Sequence, residues 1–220
     1  DRKGNLWIGT NGGGLIYYDR KNQTFKQFKH DPNDPKSLSG NVIVSLCIDR
    51  ENKLWIGTFY AGLNCYDGKT FTRYTNDPQD PRTVSDQSIW EIYEDTSGRL
   101  WIGTFSQGLD LFDRQTKTFT HYKAGDPNSV TGNYISELAE DSEGNLWVGT
   151  SVGVDLLTKS TGYFVHMASE AGNPASLSNN VVLDIKEDKQ HNVWVGTNDG
   201  LNLYNKETKQ QHLTSIMPDR

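Results

Sequence analysis

The sequence predicts an all-β protein in which four-stranded antiparallel sheets are repeated in tandem, and three observations carry this prediction. A six-residue motif recurs with little change as NLWIGT, KLWIGT, RLWIGT, NLWVGT and NVWVGT. The tryptophans of the five copies are 46 to 48 residues apart, a period typical of repeat folds. Aromatic residues make up 11% of the chain and glycine accounts for 21 of its 220 residues, which favours short strands and tight turns over long helices.

Each period contains four short segments with the composition of β-strands. In the second period they are VIVSLCID (42–49), LWIGT (54–58), GLNCYD (62–67) and TFTRYT (70–75). Every segment is rich in β-branched or aromatic residues and is bounded by Gly, Asp or Asn, as expected for a strand that ends in a tight turn. The short connections between these segments indicate antiparallel neighbours.

The turn between the first two strands follows an Asp-x-x-Gly pattern. We expect a positive φ at its fourth position, because Gly, Asn and His are the residue types that occur there and all three tolerate the left-handed region. These positions are Gly4, Asn52, Gly98, Gly144 and His191. The longer connections from a fourth strand to the next first strand, at 30–41, 76–87 and 124–133, are rich in Asp-Pro and Ser/Thr and are predicted to be structured loops.

Four antiparallel strands in each period, repeated in tandem, predict a β-propeller. We expect one partial propeller over residues 1–220, with four complete blades and a first blade that lacks its first strand. The blade remnant covers 1–29, and the complete blades cover 42–75, 88–122, 134–167 and 181–214. The recurring tryptophans are predicted to fill the space between neighbouring blades. They are Trp7, Trp55, Trp101, Trp147 and Trp194.

The repeat D-x-x-G-x-LWIGT-x-x-GGL-x-x-YD, followed by TF-x-x-Y and then by DP-x-SLS-x-N-x-I, resembles the two-component regulator propeller repeat. The resemblance extends over essentially the whole chain in five copies. It implies the periplasmic sensor region of a hybrid two-component system, of the type found in glycan-degrading gut bacteria. It also implies that the membrane helix, histidine kinase, receiver and DNA-binding output domain lie outside this chain, so that the segment senses a ligand and is not itself an enzyme.

Propellers of this family usually have more blades than this chain provides, so the fragment is not expected to close on itself. An open stack of sheets exposes a sheet face and a strand edge, and both favour association with another chain. Pairing with a second copy would cover these surfaces. The sequence therefore predicts that the chain self-associates as a homodimer.

The composition argues against two classes of partner. The net charge is −6 and no basic cluster occurs, whereas nucleic-acid binding requires clustered Lys and Arg. The longest apolar runs are only a few residues, so this segment is not expected to insert directly into a membrane. Cys47 and Cys65 are predicted on the first and third strands of one blade, roughly 9–10 Å apart, which is too far for a disulfide.

The sequence contains no catalytic or metal-binding constellation. Paired carboxylates recur at one repeat position and are therefore predicted to be structural. They are Glu94-Asp95, Glu140-Asp141 and Glu187-Asp188. The histidines lack the spacing of metal ligands, and no glycine-rich segment precedes a helix to hold a phosphate, so we expect neither a metal nor a cofactor.

A binding surface is predicted where residues depart from the repeat at one end of the sheets. The second hairpins and the fourth-to-first connections share that end, and variable aromatic and amide side chains concentrate there. Trp90 is the one tryptophan outside the repeat. Aromatic faces beside amides and carboxylates favour sugars, so we predict an oligosaccharide ligand. The candidate residues are Trp90, Phe59, Tyr60, Phe105, Gln107, Tyr134, Asn41, Gln87, Asn133, Asn180, Asn198 and Asp199.

Two alternatives to ligand sensing remain open. The aromatic residues could instead pack the loops against one another, in which case the segment is a structural or protein-interaction scaffold and recognition lies elsewhere in the receptor. Because propellers also host polysaccharide lyases and hydrolases, an enzyme is a further alternative. Titration with an oligosaccharide panel distinguishes ligand sensing from a scaffold, and a glycan turnover assay distinguishes it from an enzyme.

Overall fold

The computed structural model describes residues 1–205 and the backbone of Leu213–Ile216, and every regular element in these residues is a β-strand. The strands form one three-stranded and four four-stranded antiparallel sheets, in which hydrogen-bonded neighbours are consecutive in the sequence. The prediction of an all-β fold is therefore confirmed. Of the predicted last blade, 181–214, residues 206–212 lie outside the described residues.

The first sheet contains β1 (Leu6–Gly9), β2 (Leu15–Asp19) and β3 (Thr24–Phe28). The second contains β4 (Ile43–Ile48), β5 (Leu54–Thr58), β6 (Leu63–Tyr66) and β7 (Phe71–Tyr74). The third contains β8 (Ile89–Glu94), β9 (Leu100–Thr104), β10 (Leu109–Phe112) and β11 (Phe119–Tyr122). The fourth contains β12 (Ile135–Glu140), β13 (Leu146–Thr150), β14 (Val154–Leu157) and β15 (Phe164–Met167). The fifth contains β16 (Val182–Glu187), β17 (Val193–Thr197), β18 (Gly200–Tyr204) and β19 (Leu213–Ile216).

The chain divides into two compact units. The first unit, residues 1–105 with 110–121, holds the first and second sheets and most of the third. The second unit, residues 106–109 with 122–220, holds the fourth and fifth sheets. The described part of the chain contains no helix with the length and apolar character needed to cross a bilayer.

The Asp-x-x-Gly turns have the predicted backbone geometry. The φ values are 79° at Gly4, 61° at Asn52, 85° at Gly98, 82° at Gly144 and 65° at His191. Only residue types that tolerate the left-handed region occupy this position, so the substitutions between repeats follow the backbone. The prediction of a positive φ at the fourth position is confirmed in all five turns.

The recurring tryptophan packs across the gap to the next sheet. In the first unit, Trp55 is 2% exposed, and its ring centroid lies 5.1 Å from that of Phe112 in the third sheet. In the second unit, Trp147 of the fourth sheet belongs to one apolar cluster with Ile185 of the fifth. Trp7 packs in the same way against the cluster between the first and second sheets. In both units, a repeat tryptophan thus packs between neighbouring sheets.

A hydrogen bond ties four of the tryptophans to the aspartate that opens the preceding turn. The indole Nε1 donates to the Asp Oδ2 at 2.8 Å for Trp55 and Asp49, 2.9 Å for Trp101 and Asp95, 3.0 Å for Trp147 and Asp141, and 2.7 Å for Trp194 and Asp188. The second oxygen of the same carboxylate accepts the backbone N–H four residues on, as Asp49 does from Lys53 at 2.8 Å. One carboxylate thus holds both the turn and the ring.

The glycine of LWIGT allows the next sheet to approach the strand closely. A Cβ at Gly57 would lie 2.3 Å from Ser45 Oγ and 2.9 Å from the carbonyl oxygen of Ile89, which begins the third sheet. In the second unit, a Cβ at Gly149 would lie 2.8 Å from Val182, which begins the fifth sheet. The motif therefore spaces neighbouring sheets as well as supplying a strand.

Cys47 and Cys65 are free thiols on β4 and β6, and both are paired in register with Trp55 on the strand between them. The prediction that they do not form a disulfide is confirmed. Burial raises the pKa of each thiol to about 11. Since the thiolate is the nucleophilic form, this shift disfavours reaction of either thiol at neutral pH.

Candidate ligand-binding surface

The second hairpins and the connections between sheets lie at the same end of the sheets, joined by backbone hydrogen bonds. In the first unit, Gly62 N donates to Gln87 O at 2.7 Å. In the second unit, Gly108 N donates to Asn133 O at 2.9 Å. Each hairpin is thereby fixed beside the start of a first strand, which is where the sequence places its candidate residues.

Trp90 occupies a β-bulge on β8. The register pairs Ile89 with Thr104 and Glu91 with Gly103, so Trp90 is the extra residue between two ladder pairs. A bulge re-aims its side chain relative to the alternation of the strand. The first strands of the other complete sheets have the same irregularity, and their extra residues are Val44, Ser136 and Leu183. The bulge is therefore common to the four complete sheets, and β8 differs in carrying a tryptophan at the extra position.

Four of the candidate side chains form the aromatic cluster, which consists of Phe59, Tyr60, Trp90 and Phe105. Ring centroids are 5.4 Å apart for Trp90 and Phe105, 6.2 Å for Phe105 and Phe59, and 4.1 Å for Phe59 and Tyr60. Tyr60 is 72% exposed and Phe105 is 41% exposed, whereas Trp90 and Phe59 are half-buried. The aromatic cluster thus has two exposed rings, which pack on two half-buried ones.

Tyr60 is held in a strained backbone conformation at the tip of its hairpin. Its φ is 61°, a left-handed value that costs a non-glycine residue roughly 1–2 kcal/mol. Its N–H donates to Ser88 Oγ at 3.2 Å, and Ser88 is itself buried. Residues kept in this region by their surroundings cluster at binding sites. The strain and the hydrogen bond together fix the exposed ring.

Four of the candidate amides tie the connections together. Each side chain bonds the backbone near the start of its own connection. Asn41 accepts from His30 N at 2.8 Å, Gln87 donates to Asn76 O at 3.2 Å, Asn133 accepts from Ala124 N at 2.9 Å, and Asn180 accepts from Ser169 N at 2.6 Å. These amides therefore have a structural task at the mouth of each first strand.

The other four candidates lie in the second unit. Gln107 Oε1 accepts from Lys123 Nζ at 3.4 Å, and Asp199 Oδ2 accepts from Asn179 Nδ2 at 2.7 Å. Asn198 and Asp199 are exposed at the tip of the second hairpin of the fifth sheet. Tyr134 is half-buried, and burial raises the pKa of its hydroxyl.

The paired carboxylates connect neighbouring sheets at the opposite end. In the first unit, Glu94 Oε2 accepts from the backbone N–H of Arg50 at 2.7 Å. In the second unit, Glu187 accepts from the N–H and the Oγ of Ser142, each at 2.8 Å. The last residue of a first strand thus caps the first turn of the sheet before it, a structural role that agrees with the recurrence of these residues.

One set of buried polar residues was not predicted from the sequence. It comprises the residue after the first leucine or valine of the third strand in each complete sheet, namely Asn64, Asp110, Asp155 and Asn202, all fully buried. Asp110 Oδ2, for example, accepts from Ser85 N in the preceding connection at 2.8 Å. Asp110 and Asp155 also contact His121 and His166 on the fourth strands, at 2.6 Å each. The sequence signal that could have revealed this set is the Asn or Asp at the third position of GLNCY, GLDLF, GVDLL and GLNLY.

The chemistry offered by the aromatic cluster is binding. Its ring faces provide flat apolar surfaces, and the Tyr60 hydroxyl adds one donor and acceptor. In residues 1–205, no group of three or more His, Cys, Asp or Glu side chains is placed to hold a metal ion. The cluster is therefore suited to a ligand with an apolar face and hydroxyl groups around it.

A family model described as two component regulator propeller matches residues 37–60, 83–106, 129–152 and 176–199. Each match begins in a connection and runs through the first two strands into the second hairpin. The four matched segments coincide with four of the five repeats recognised in the sequence.

The matches to known proteins cover very different shares of the two chains compared. A structure from B. thetaiotaomicron, named as the extracellular domain of a hybrid two-component system, is 26% identical with a TM-score of 0.80, over 97% of this chain and 28% of that one. Histidine kinase P4 of Formosa agariphila is 36% identical over 59 residues, which are 27% of this chain and 4% of the kinase. The chain thus spans little more than a quarter of the extracellular domain that it matches.

A virginiamycin B lyase from Staphylococcus aureus is 14% identical, with a TM-score of 0.71 over 99% of this chain and 67% of the lyase. This likeness concerns the fold alone. Together with the sheet topology, these similarities confirm the predicted propeller fold class.

Proposed function

Because the chain carries tandem repeats of the two-component regulator propeller family, we propose that it is a ligand-sensing segment of a two-component sensor. It works in the periplasm and signals to a histidine kinase outside this chain. The similarity to an extracellular domain of a hybrid two-component system and to Histidine kinase P4 supports this assignment. We assign the segment no catalytic role, since its likeness to the lyase extends only to the fold.

The aromatic cluster is the observation that supports an oligosaccharide as the ligand. Sugar rings stack their C–H faces on aromatic side chains, and the two exposed rings of Tyr60 and Phe105 offer such faces. Trp90 lies on the first strand of the third sheet, so contact with a ligand there acts directly on β8. A ligand that favours one arrangement of this strand shifts the population of signalling states.

Replacing Trp90 by alanine is expected to weaken oligosaccharide binding at least about tenfold, or about 1.4 kcal/mol. The ring supports Phe105 and fills the bulge position, so its loss removes both a stacking face and the order of its neighbour. Calorimetric titration of the chain with a panel of neutral oligosaccharides measures the effect. Tyr60→Ala provides a second variant, because that ring is exposed and its loss spares the packing.

Phe25→Ala is the matched control for these variants. Phe25 is 69% exposed and stacks on Tyr18 at 4.6 Å in the first sheet, away from the aromatic cluster. Its replacement is expected to leave binding unchanged. An oligosaccharide that binds the original chain, Trp90→Ala and Tyr60→Ala with equal affinity would contradict the proposed surface.

A structural or protein-interaction scaffold is the second candidate function, and the amide side chains favour it. Asn41, Gln87, Asn133 and Asn180 bind backbone within their own connections, as a scaffold requires. Under this alternative, no oligosaccharide binds the chain, and Trp90→Ala in the whole receptor leaves its glycan response unchanged. The titration and the receptor response therefore distinguish the two functions.

We also propose that the chain self-associates through its first sheet. On β1, Leu6 is 49% exposed and Ile8 is 39% exposed, whereas their counterparts Leu54 and Ile56 on β5 are 3% and 0% exposed. β1 is also an edge strand of a three-stranded sheet. An apolar face beside an open edge favours pairing with a second copy.

Ile8→Lys is therefore expected to convert a dimer into a monomer, as measured by light scattering after size-exclusion chromatography. A buried lysine lacks a partner at such an interface, which makes association costly. Val152→Lys, at a residue 43% exposed in the second unit, serves as the control and should leave the dimer intact. A monomer at high concentration of the unaltered chain would overturn this proposal.

A further inference from the structure

The gap between the first and second sheets contains a cavity of about 510 Å³ at the end opposite the aromatic cluster. Asp1, Asn52 and Gly68, all in turns at that end, contribute to its lining. The volume lies within the range of small-ligand sites, which is roughly 300–1,000 Å³. The cavity is separate from the aromatic cluster and lies wholly within the first unit.

The walls of the cavity are aromatic rings. Trp7 lies 4.6 Å from Tyr17 and 5.6 Å from Tyr66, measured between ring centroids, and Phe28 lies 5.3 Å from Tyr66. Trp7 also differs from the other repeat tryptophans, because its Nε1 has no hydrogen-bond partner within residues 1–205, whereas they donate to an aspartate. The half-buried indole therefore offers both a ring face and an N–H to a ligand.

The rim of the cavity is cationic. Arg2, Lys3 and Lys26 line it, and none of the three forms an ion pair with any described residue. Asp1 is the acidic member of the lining, and its Oδ1 accepts the N–H groups of Lys3 and Asn5 at 2.9 and 2.8 Å. Positive charge is thus in excess at the mouth of an apolar cavity.

In the neighbouring gap, between the second and third sheets, the charged side chains are balanced by ion pairs. Arg114 pairs with Asp49 at 2.7 Å and with Glu94 at 2.6 Å, and Lys53 pairs with Glu51 at 2.7 Å. In the gap before it, Ile48 occupies the repeat position of Glu94, and Gly68 follows the third strand where Arg114 does. The first gap therefore lacks both members of that ion pair, and Lys3 stands at the repeat position of Glu51, so its remaining cations have no acidic partner of this kind.

We propose that this first cavity binds a small organic carboxylate carried on a ring. The aromatic walls take the ring face, and the cationic rim with the Trp7 N–H takes the carboxylate, since Lys and Arg form charge-assisted hydrogen bonds with such groups. Two sources share this chemistry: an acidic sugar and an aromatic acid. The site is independent of the oligosaccharide proposed for the aromatic cluster, and the two surfaces lie at opposite ends of the strands.

Calorimetric titration of the chain with digalacturonate and with indole-3-acetate distinguishes the two sources. Each acid is paired with a neutral counterpart, a galactose disaccharide or indole-3-acetamide. We expect one acid to bind at least tenfold more tightly than its neutral counterpart and to weaken as salt rises. Absence of binding by both acids up to 10 mM (about −2.7 kcal/mol), or equal binding of acid and amide or neutral sugar, would overturn the proposal.

Charge reversal locates the site. Lys3→Glu with Lys26→Glu is expected to weaken binding of the preferred acid at least tenfold, whereas Lys29→Glu, an exposed lysine just beyond β3 and outside the cavity, should not. Trp90→Ala should likewise leave acid binding unchanged, which separates this site from the aromatic cluster. An equal loss in the Lys29→Glu variant would show that net charge alone attracts the acid and would refute the site.

Discussion

Replacing Asp49 by alanine is expected to lower the free energy of unfolding by about 3–4 kcal/mol. The carboxylate is 1% exposed and accepts from Trp55 Nε1 at 2.8 Å, from Arg114 at 2.7 Å and from the N–H of Lys53 at 2.8 Å. Alanine would leave the buried indole N–H without its acceptor and the Arg114 guanidinium with Glu94 as its remaining partner. Urea unfolding followed by tryptophan fluorescence measures the loss.

Two further variants sharpen this experiment. Asp49→Asn keeps the shape and one acceptor oxygen, so we expect a smaller loss than with alanine. Asp67→Ala removes an exposed aspartate whose carboxylate caps the Lys69 and Thr70 N–H groups in a turn of the same sheet, and its effect should be smaller still. If Asp49→Ala destabilises no more than Asp67→Ala, the Asp49 carboxylate does not hold the tryptophan and the turn together.

The same carboxylates give the fold an acid-sensitive component. Burial raises the pKa of Asp49, but hydrogen bonds from Trp55 and Arg114 outweigh it and hold the pKa below its usual 3.8. The bond from Trp194 lowers the pKa of Asp188 to about 2. A carboxyl with a depressed pKa stabilises the fold above its unfolded-state pKa and loses that contribution as pH falls through the folded-state value. Stability should therefore decline below about pH 4, and less steeply in Asp49→Asn.

Replacing Gly57 by alanine is expected to cost about 2–3 kcal/mol of folding stability. The new Cβ would lie 2.3 Å from Ser45 Oγ, 2.9 Å from the carbonyl oxygen of Ile89 and 3.0 Å from its Cγ2. The serine side chain can turn away, but the backbone carbonyl moves only if β8 moves with it. The third sheet would therefore have to withdraw from the second, which opens the apolar cluster around Trp55.

Gly196 provides the matched control, because it occupies the same position in the last copy of the motif. Atoms of Asp184 in its own sheet, at 3.7 and 4.0 Å, are the nearest that a Cβ there would meet. Gly196→Ala should therefore change stability by less than about 0.5 kcal/mol. Equal losses at Gly57 and Gly196 would mean that the glycine serves the strand itself and not the approach of the neighbouring sheet.

The strands and turns were predictable because their causes are local. Alternating apolar residues, β-branched side chains and Gly or Asn at a positive φ act within a few residues, so Asn52 and His191 could be assigned a left-handed backbone from sequence alone. The partner of Asp49 Oδ2 was not predictable in the same way. The turn explains one oxygen of the carboxylate, but the other reaches the indole six residues on, which depends on how the finished hairpin twists.

The candidate surface was likewise predictable only in part. Phe59, Tyr60, Trp90 and Phe105 were found because they break a repeat, and the fold brings them into one cluster. The amide of Asn41 also varied between repeats, yet it reaches back to His30 across an eleven-residue separation. Variation alone does not separate a side chain that faces a ligand from one that closes a loop, since both escape the constraints of the repeat.

The bulge on the first strand of each complete sheet has a consequence for how the repeats vary. Because the extra residue stands between two ladder pairs, its side chain can change from valine to tryptophan, serine or leucine while the register of the sheet is preserved. Each complete sheet therefore keeps the same register while one position on its first strand varies. One repeat can therefore differ from the next at this position by a point substitution, without insertion of a longer loop and without a change of register.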